Sequence, residues 1–213
     1  MLTPVEQIIT DHFHAMYYCS PHTWNGGYTS WRGVPILQNP LDMFIIQEII
    51  METNPDFIVE TGSARGGSAL FYTDVSPRVK VISIDTQLVM QPMVKHPRIT
   101  FAKGMSTDKK IIAMVKKETQ KKKVMVILDS DHSTENVIAE MRAYHSLVPV
   151  GGYMVVEDTN VGGNPVNHAE VPGKGPMKAV EMFLQENQDF GIDKGREKYY
   201  MTFHPNGWLR RLR

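Results

Sequence analysis

Five short apolar runs interleaved with helix-like segments constrain this 213-residue chain more than any other feature. They are "FIVETG" from Phe57, "KVISID" from Lys80, "RITFAKG" from Arg98, "KVMVILDSD" from Lys123 and "GGYMVVEDT" from Gly151. Runs this short and this apolar fit strands covered on both faces. The segments around them have helical spacing: residues 41–52 ("LDMFIIQEIIME"), 67–73, "TDKKIIAMVKKETQ" with Ser106 or Thr107 as N-cap, "TENVIAEMRAYHSLV" and "GPMKAVEMFLQEN". The alternation predicts an α/β fold, a doubly wound, mostly parallel sheet with helices on both sides. The final stretch, "REKYYMTFHPNGWLRRL", is predicted to form two strands around a Pro-Asn-Gly turn, an antiparallel C-terminal hairpin at the sheet edge.

The length suits one domain with a short extension. Lys plus Arg equal Asp plus Glu at 23 each, so no broad positive field is available for nucleic acid or an acidic membrane, and a small-molecule partner is expected. One cysteine, Cys19, cannot form an internal disulfide, and the N-terminus has no signal-peptide pattern, so a cytoplasmic location is expected. No run reaches the ~18 apolar residues of a membrane span. The aromatic-, Gly- and Pro-rich stretch in the first forty residues, with Trp24, Trp31 and Arg32, lacks a clear period. It is expected to cap something, or to pack between copies in a homo-oligomer.

Ligands of parallel α/β sheets gather beyond the carboxyl ends of the strands, and here those ends carry the chemistry. The first run ends in Glu60-Thr61-Gly62, followed by Ser63, Ala64, Gly66, Gly67 and Ser68, where glycines allow close backbone approach and a helix N-terminus offers free N–H groups. The second ends in Asp85, suited to a ribose diol, and the third in Gly104-Met105-Ser106. Glycines at 62, 66 and 67 do not form the dinucleotide fingerprint, and Glu60 would repel a pyrophosphate. A cationic, nucleoside-containing cofactor fits better, and S-adenosylmethionine has the required ammonium, sulfonium and ribose. Glu60, Gly62, Ser63, Ala64, Gly67, Ser68, Asp85, Ser106 and Asp129 are the candidate cofactor-binding residues.

The fourth and fifth runs end in Asp129-Ser130-Asp131-His132 and Glu157-Asp158-Thr159-Asn160. Four carboxylates on adjacent strand ends would repel unless a cation lay among them, and oxygen ligands favour Mg²⁺. Asp129, Asp131, Glu157 and Asp158 are therefore candidate metal ligands, with Asp131 nearly as well suited to capping the next helix. His132 could receive a proton from a hydroxyl polarised by the metal, which makes it and Asp129 the candidate catalytic pair, with His12, His14, His22 and His168 weaker candidates. No Ser-His-Asp set can be assembled from these ends, which argues against a hydrolase.

The motifs "GVPILQNPLDMFIIQEII", "PDFIVETGSARGGSAL", "ILDSDH", "VEDTN", "GPMKAVEMFL" and "REKYYMTFHPNGWLRRL" resemble the cephalosporin hydroxylase and rhamnosyl O-methyltransferase family of bacterial natural-product biosynthesis. The resemblance implies a Rossmann-like class I methyltransferase domain over residues 41–213, residues 1–40 acting as a cap or lid, and Mg²⁺-assisted methyl transfer to the oxygen of a sugar or small secondary metabolite. It implies that Glu60, Gly62, Ser63, Ser68 and Asp85 contact the cofactor, and that Glu157 and Asp158 bind metal with one aspartate of "DSDH". A looser similarity to catechol-type O-methyltransferases points to Asp129 and places their catalytic lysine at His132; the closer family's pattern points to Asp131. Two alternatives stand beside this expectation. An iron-dependent hydroxylase would need two histidines and a carboxylate facing one site, and a cofactor-binding accessory module would need no metal acids.

Overall fold

The computed structural model describes residues 2–23, 29–87, 94–167 and 175–213; Trp24, His168 and part of the loop following the fifth run lie outside the described residues. The chain opens with α1 (Pro4–Cys19), followed by a two-strand ribbon of β1 (Ser30–Trp31) and β2 (Val34–Pro35). Then come α2 (Pro40–Thr53), β3 (Phe57–Thr61), α3 (Gly67–Val75), β4 (Lys80–Asp85), β5 (Ile99–Lys103), α4 (Lys109–Glu118), β6 (Val124–Leu128) and α5 (Thr134–Tyr144). The series ends with β7 (Tyr153–Val156), α6 (Gly175–Glu186), β8 (Phe190–Ile192) and β9 (Trp208–Arg211).

Seven strands form one sheet in the order β5-β4-β3-β6-β7-β9-β8, parallel from β5 to β7 and antiparallel through β9 and β8. Successive strand side chains point to opposite faces, so each strand contributes to two cores. Val59, Val126 and Met154 pack with Val137 and Met141 of α5 and Val180 and Phe183 of α6. Ile58, Ile127 and Val155 pack on the other face with Ile46 and Ile49 of α2 and Tyr72 of α3. From β3 the chain winds outward to β4 and β5, then returns to β6 and β7 on the other side. The carboxyl ends of β3 and β6 therefore flank the switch point at which doubly wound sheets take their ligands.

The structure departs from the sequence expectation in three places. Residues 4–19 form a helix, started by a capping box in which the Thr3 side chain accepts from the Glu6 N–H and the Glu6 carboxylate accepts from the Thr3 N–H. Its inner face rests on the far end of the chain, with His14 stacked on Phe203 at 5.5 Å between ring centroids and Tyr18 edge-on to the same ring at 4.9 Å. Val5, Ile9, Phe13 and Met16 are exposed, and this outward apolar face blurs the periodicity in the sequence. The antiparallel edge exists, but its hairpin partner for β9 is Phe190–Ile192, not the residues just before the Pro-Asn-Gly turn. Those residues, 201–204, lie outside any strand and pass beside the residues that follow β7. Finally, the N-cap position of α4 is Asp108, without a side-chain cap hydrogen bond, and not Ser106 or Thr107, which leaves Ser106 for another use. Among the described residues no helix is long and apolar enough to cross a membrane.

Candidate functional site

The turn after β3 explains the glycines. Gly62 has φ +86, and a Cβ there would lie 1.7 Å from the carbonyl oxygen of Asp129, so the ends of β3 and β6 meet only if residue 62 has no side chain. A Cβ on Gly67 would lie 2.2 Å from the Pro35 carbonyl, so this glycine admits the N-terminal segment against α3. Asp85, at the end of β4, accepts from the N–H groups of Ser63 (2.9 Å) and Ala64 (3.3 Å) through Oδ2 and from that of Gln87 (2.8 Å) through Oδ1. It thereby holds the turn that the sequence assigned to the same ligand.

Glu60 lies deeper. It is 2 % exposed, and its oxygens accept from Ser68 Oγ and Ser83 Oγ, each at 2.5 Å. Ser63 Oγ in turn contacts Ser83 Oγ at 2.7 Å. Burial pushes the Glu60 carboxyl up to about 7, against the pull of these hydrogen bonds. A carboxyl whose folded value lies above its ordinary 4.5 supports the fold while protonated, and that support is lost as pH rises from about 4.5 through about 7. Glu60→Gln supplies an acceptor and a donor to the two hydroxyls without the charge. Its stability advantage over the parent should grow from near zero at about pH 4 to on the order of 3 kcal/mol at about pH 8, read by urea unfolding. An advantage that does not change with pH would show that Glu60 is ionised without penalty in the fold.

The acids meet at the ends of β6 and β7. The pairing of Leu128 with Val156 places Asp129 and Glu157 side by side, one residue beyond the ladder. The Asp129 N–H donates to the Thr61 carbonyl (3.0 Å) and hydroxyl (3.2 Å), which fixes its backbone to β3. Asp158 adopts a left-handed backbone, φ +52, and its N–H donates to His204 Nδ1 at 3.1 Å. His132 Nε2 lies 3.2 Å from Asp158 Oδ2. One ligand atom from each of Asp129, His132 and Asp158 falls within 4.8 Å of the other two.

Glu157 adjoins this group from inside the protein, 2 % exposed. Its Oε2 accepts from Gln38 Nε2, and the same amide donates to Asp129 Oδ2 at 3.0 Å. Glu157 Oε1 has no hydrogen-bond partner. Burial, followed by neighbouring negative charge, holds both the Asp129 and Glu157 carboxyls well above the ordinary carboxylate range. Asp131 turns away: it is exposed, and its Oδ1 accepts from the Ser133 N–H at 2.7 Å in the turn that Ser133 then caps into α5. The structure thus brings Asp129, Glu157, Asp158 and His132 together and leaves Asp131 at the rim.

A cleft of about 610 Å³ runs from the glycine turn to this group, lined by Gly62, Ala64, Asp85, Ser106, Asp129, Asp131, His132 and Asp158, with Tyr18 entering from α1. Glu60, Ser63, Gly67, Ser68 and Glu157 are not among its lining residues. The sequence reading missed four participants. Tyr18 belongs to the unread helix, Glu140 accepts from the hydroxyls of Ser106 and Ser130, and Gln38 and His204 contact the acids from residues distant in the chain. Three of them had a visible signal: the Thr3–Glu6 capping pattern for the helix of Tyr18, the polar pair Gln38-Asn39 in apolar surroundings, and the histidine His204 before the Pro-Asn-Gly turn.

Residues 25–212 match the family model described as Rhamnosyl O-methyltransferase/CmcI. The chain belongs to this family. It is 37% identical over 212 residues to the rhamnosyl O-methyltransferase of Mycobacterium leprae, covering 94% of this chain and 90% of that one. With the enzyme of the same description from Mycobacterium tuberculosis it shares 33% over 213 residues, covering 94% and 84%. A CmcI structure with Mg and SAM superposes with a TM-score of 0.65 at 21% identity, over 89% of this chain and 78% of that one. A putative caffeoyl-CoA O-methyltransferase from Staphylococcus aureus superposes with a TM-score of 0.58 at 18%, over 74% and 78%. At these identities the solved structures establish the fold, which is that of class I methyltransferases. As a member of the rhamnosyl O-methyltransferase/CmcI family the chain is an S-adenosylmethionine-dependent O-methyltransferase.

Proposed function

We propose that this family member methylates a hydroxyl of a sugar, in the class of the rhamnosyl group named for its relatives, with assistance from Mg²⁺. The convergence of Asp129, His132 and Asp158 at the mouth of the cleft that also holds the glycine turn and Asp85 carries the reading. Residues and groups fit. Two carboxylates facing the cleft, a third with an unpartnered buried oxygen, and ionisation suppressed in both Asp129 and Glu157 are what an oxygen-ligated divalent cation would relieve. S-adenosylmethionine supplies an electrophilic methyl, and Mg²⁺ supplies Lewis acidity toward the acceptor hydroxyl.

Asp129 and Asp158, with Glu157 beside them, would hold the cation. Gly62, Ala64 and Ser106 would line the cofactor, with Asp85 at its ribose end and Glu60 acting from behind through Ser68. In this reading His132 donates Nε2–H to Asp158 Oδ2, 3.2 Å away, and takes the acceptor's proton at Nδ1. Tyr18 closes the acceptor side and excludes water. The iron-hydroxylase alternative needs two histidines on the metal, whereas among the described residues the converging group has one histidine and two carboxylates. An accessory binding module would not need the acids.

Incubation with methyl-labelled S-adenosylmethionine and a panel of rhamnosides and other glycosides, with Mg²⁺ or with EDTA, tests the reading. A labelled methyl ether formed only with Mg²⁺ is expected. Transfer undiminished by EDTA would remove the metal from the reading, and cofactor binding with no glycoside methylated would remove the sugar. His132→Asn should lower turnover by about 10²-fold or more while leaving metal affinity nearly intact; loss of metal binding would instead make His132 a ligand.

A further inference from the structure

Gln38 reaches the site from the segment between β2 and α2, and it is 4 % exposed. Its single side-chain amide donates to Asp129 Oδ2 at 3.0 Å and to Glu157 Oε2. A carboxamide nitrogen has two hydrogens, so both are used on two carboxylates belonging to two strands. Neither Asp129 nor Glu157 has a lysine or arginine among its side-chain hydrogen-bond donors or ion-pair partners among the described residues, so this neutral amide is the side-chain donor shared by two acids that face each other.

The amide is itself anchored. Asn39, the next residue, caps α2 by accepting from the Leu41 N–H at 3.2 Å and donates to Asp42 Oδ2 at 3.0 Å. Asp42 Oδ2 also accepts from the Phe203 N–H at 2.8 Å. From the other side, His204 receives the N–H of Asp158. The start of α2 and the segment at residues 203–204 therefore grip the acid group together. Gln38 engages one oxygen of each of its two acids, and the other oxygen of Glu157 stays unpartnered.

We propose that Gln38 is a positioning residue that sets the metal affinity of the site by pinning one oxygen of Asp129 and one of Glu157, so that the remaining oxygens are presented together. This rests on the metal reading above. It assigns Gln38 no contact with the reacting atoms.

Mn²⁺ and Mg²⁺ titrations by calorimetry on the substrate-free parent and on Gln38→Met, a change of similar length with no donor, separate the two claims. The metal Kd of the variant should weaken by ~10- to 100-fold, the range for partners that orient metal ligands, while the Kd for S-adenosylmethionine stays within about two-fold. The rise in melting temperature caused by added metal should shrink accordingly. A residue that merely supported the fold would lower the melting temperature in EDTA and weaken both ligands together. Gln38→Asn, which keeps the amide on a shorter arm, carries the same measurement should the Met variant not fold. A metal Kd within about two-fold of the parent in a folded variant overturns the proposal, as does equal weakening of both ligands. A parent that binds no metal would instead overturn the metal reading.

Discussion

Asp129→Asn is expected to lower methyl transfer by about 10³-fold, since under the proposed Mg²⁺ assistance several kcal/mol of Lewis-acid stabilisation would depend on its charge. The same change should make the metal-free protein more stable. Asp129 is buried beside Glu157 and Asp158, and its ionised form is opposed first by desolvation and then by those charges. Its folded value lies above the ordinary 3.8, so its contribution to stability is present at low pH and lost as pH rises. Asparagine keeps the shape and can still accept from Gln38, and it carries no charge at any pH. Urea unfolding of metal-free protein should show the variant ahead of the parent near pH 8 and level with it near pH 4. Added Mg²⁺ should reverse the order near pH 8 by stabilising the parent alone. An active variant, or one less stable at both pH values, would show that Asp129 serves the fold and not the cation.

Gly62→Ala is expected to be the most damaging single substitution in the turn. The new Cβ must displace the Asp129 carbonyl, 1.7 Å away, and the backbone at φ +86 disfavours any side chain. A loss of about 3 kcal/mol or more is expected in thermal or urea unfolding, together with weakened cofactor and metal binding, because one carbonyl links the glycine turn to the acid group. Gly151→Ala is the control: its φ of +82 is similar, but nothing lies within 4 Å of the added carbon, so it reports the backbone term alone, about 1 kcal/mol. Equal losses in the two variants would mean that the ends of β3 and β6 can part without cost.

The succession from β3 through β7 was legible because each strand is four to six residues long and largely apolar, and each ends in or is followed by polar residues that have nothing to do in a core. The glycine turn was legible for a related reason: three glycines in six residues at the end of a buried strand have few uses other than close approach. The first helix was not legible. Val5, Ile8, Ile9, Phe13 and Met16 point outward while His14 and Tyr18 point inward, so its apolar stripe does not mark its buried face. The aromatic run before the Pro-Asn-Gly turn has strand-like composition. Its place beside the strand ends follows from hydrogen bonds to Asp158, Asn160 and Asp42, all distant in the chain.

The sequence by itself determined that this chain would wind a mostly parallel sheet and carry a glycine turn and several acids at the carboxyl ends of its strands, because those features depend on local period and on the direction of each strand. Tertiary structure decided what the acids do to one another. Asp129 and Asp131 are two residues apart and chemically identical, yet one is fastened to β3 through Thr61 and faces Glu157, while the other is captured by the N–H of Ser133. Gln38 reaches Glu157 across 119 residues of chain, and His204 meets Asp158 across 46. Side-chain direction at the end of a strand is set by whichever partner arrives there. That partner comes from a distant segment, whose arrival no local pattern encodes.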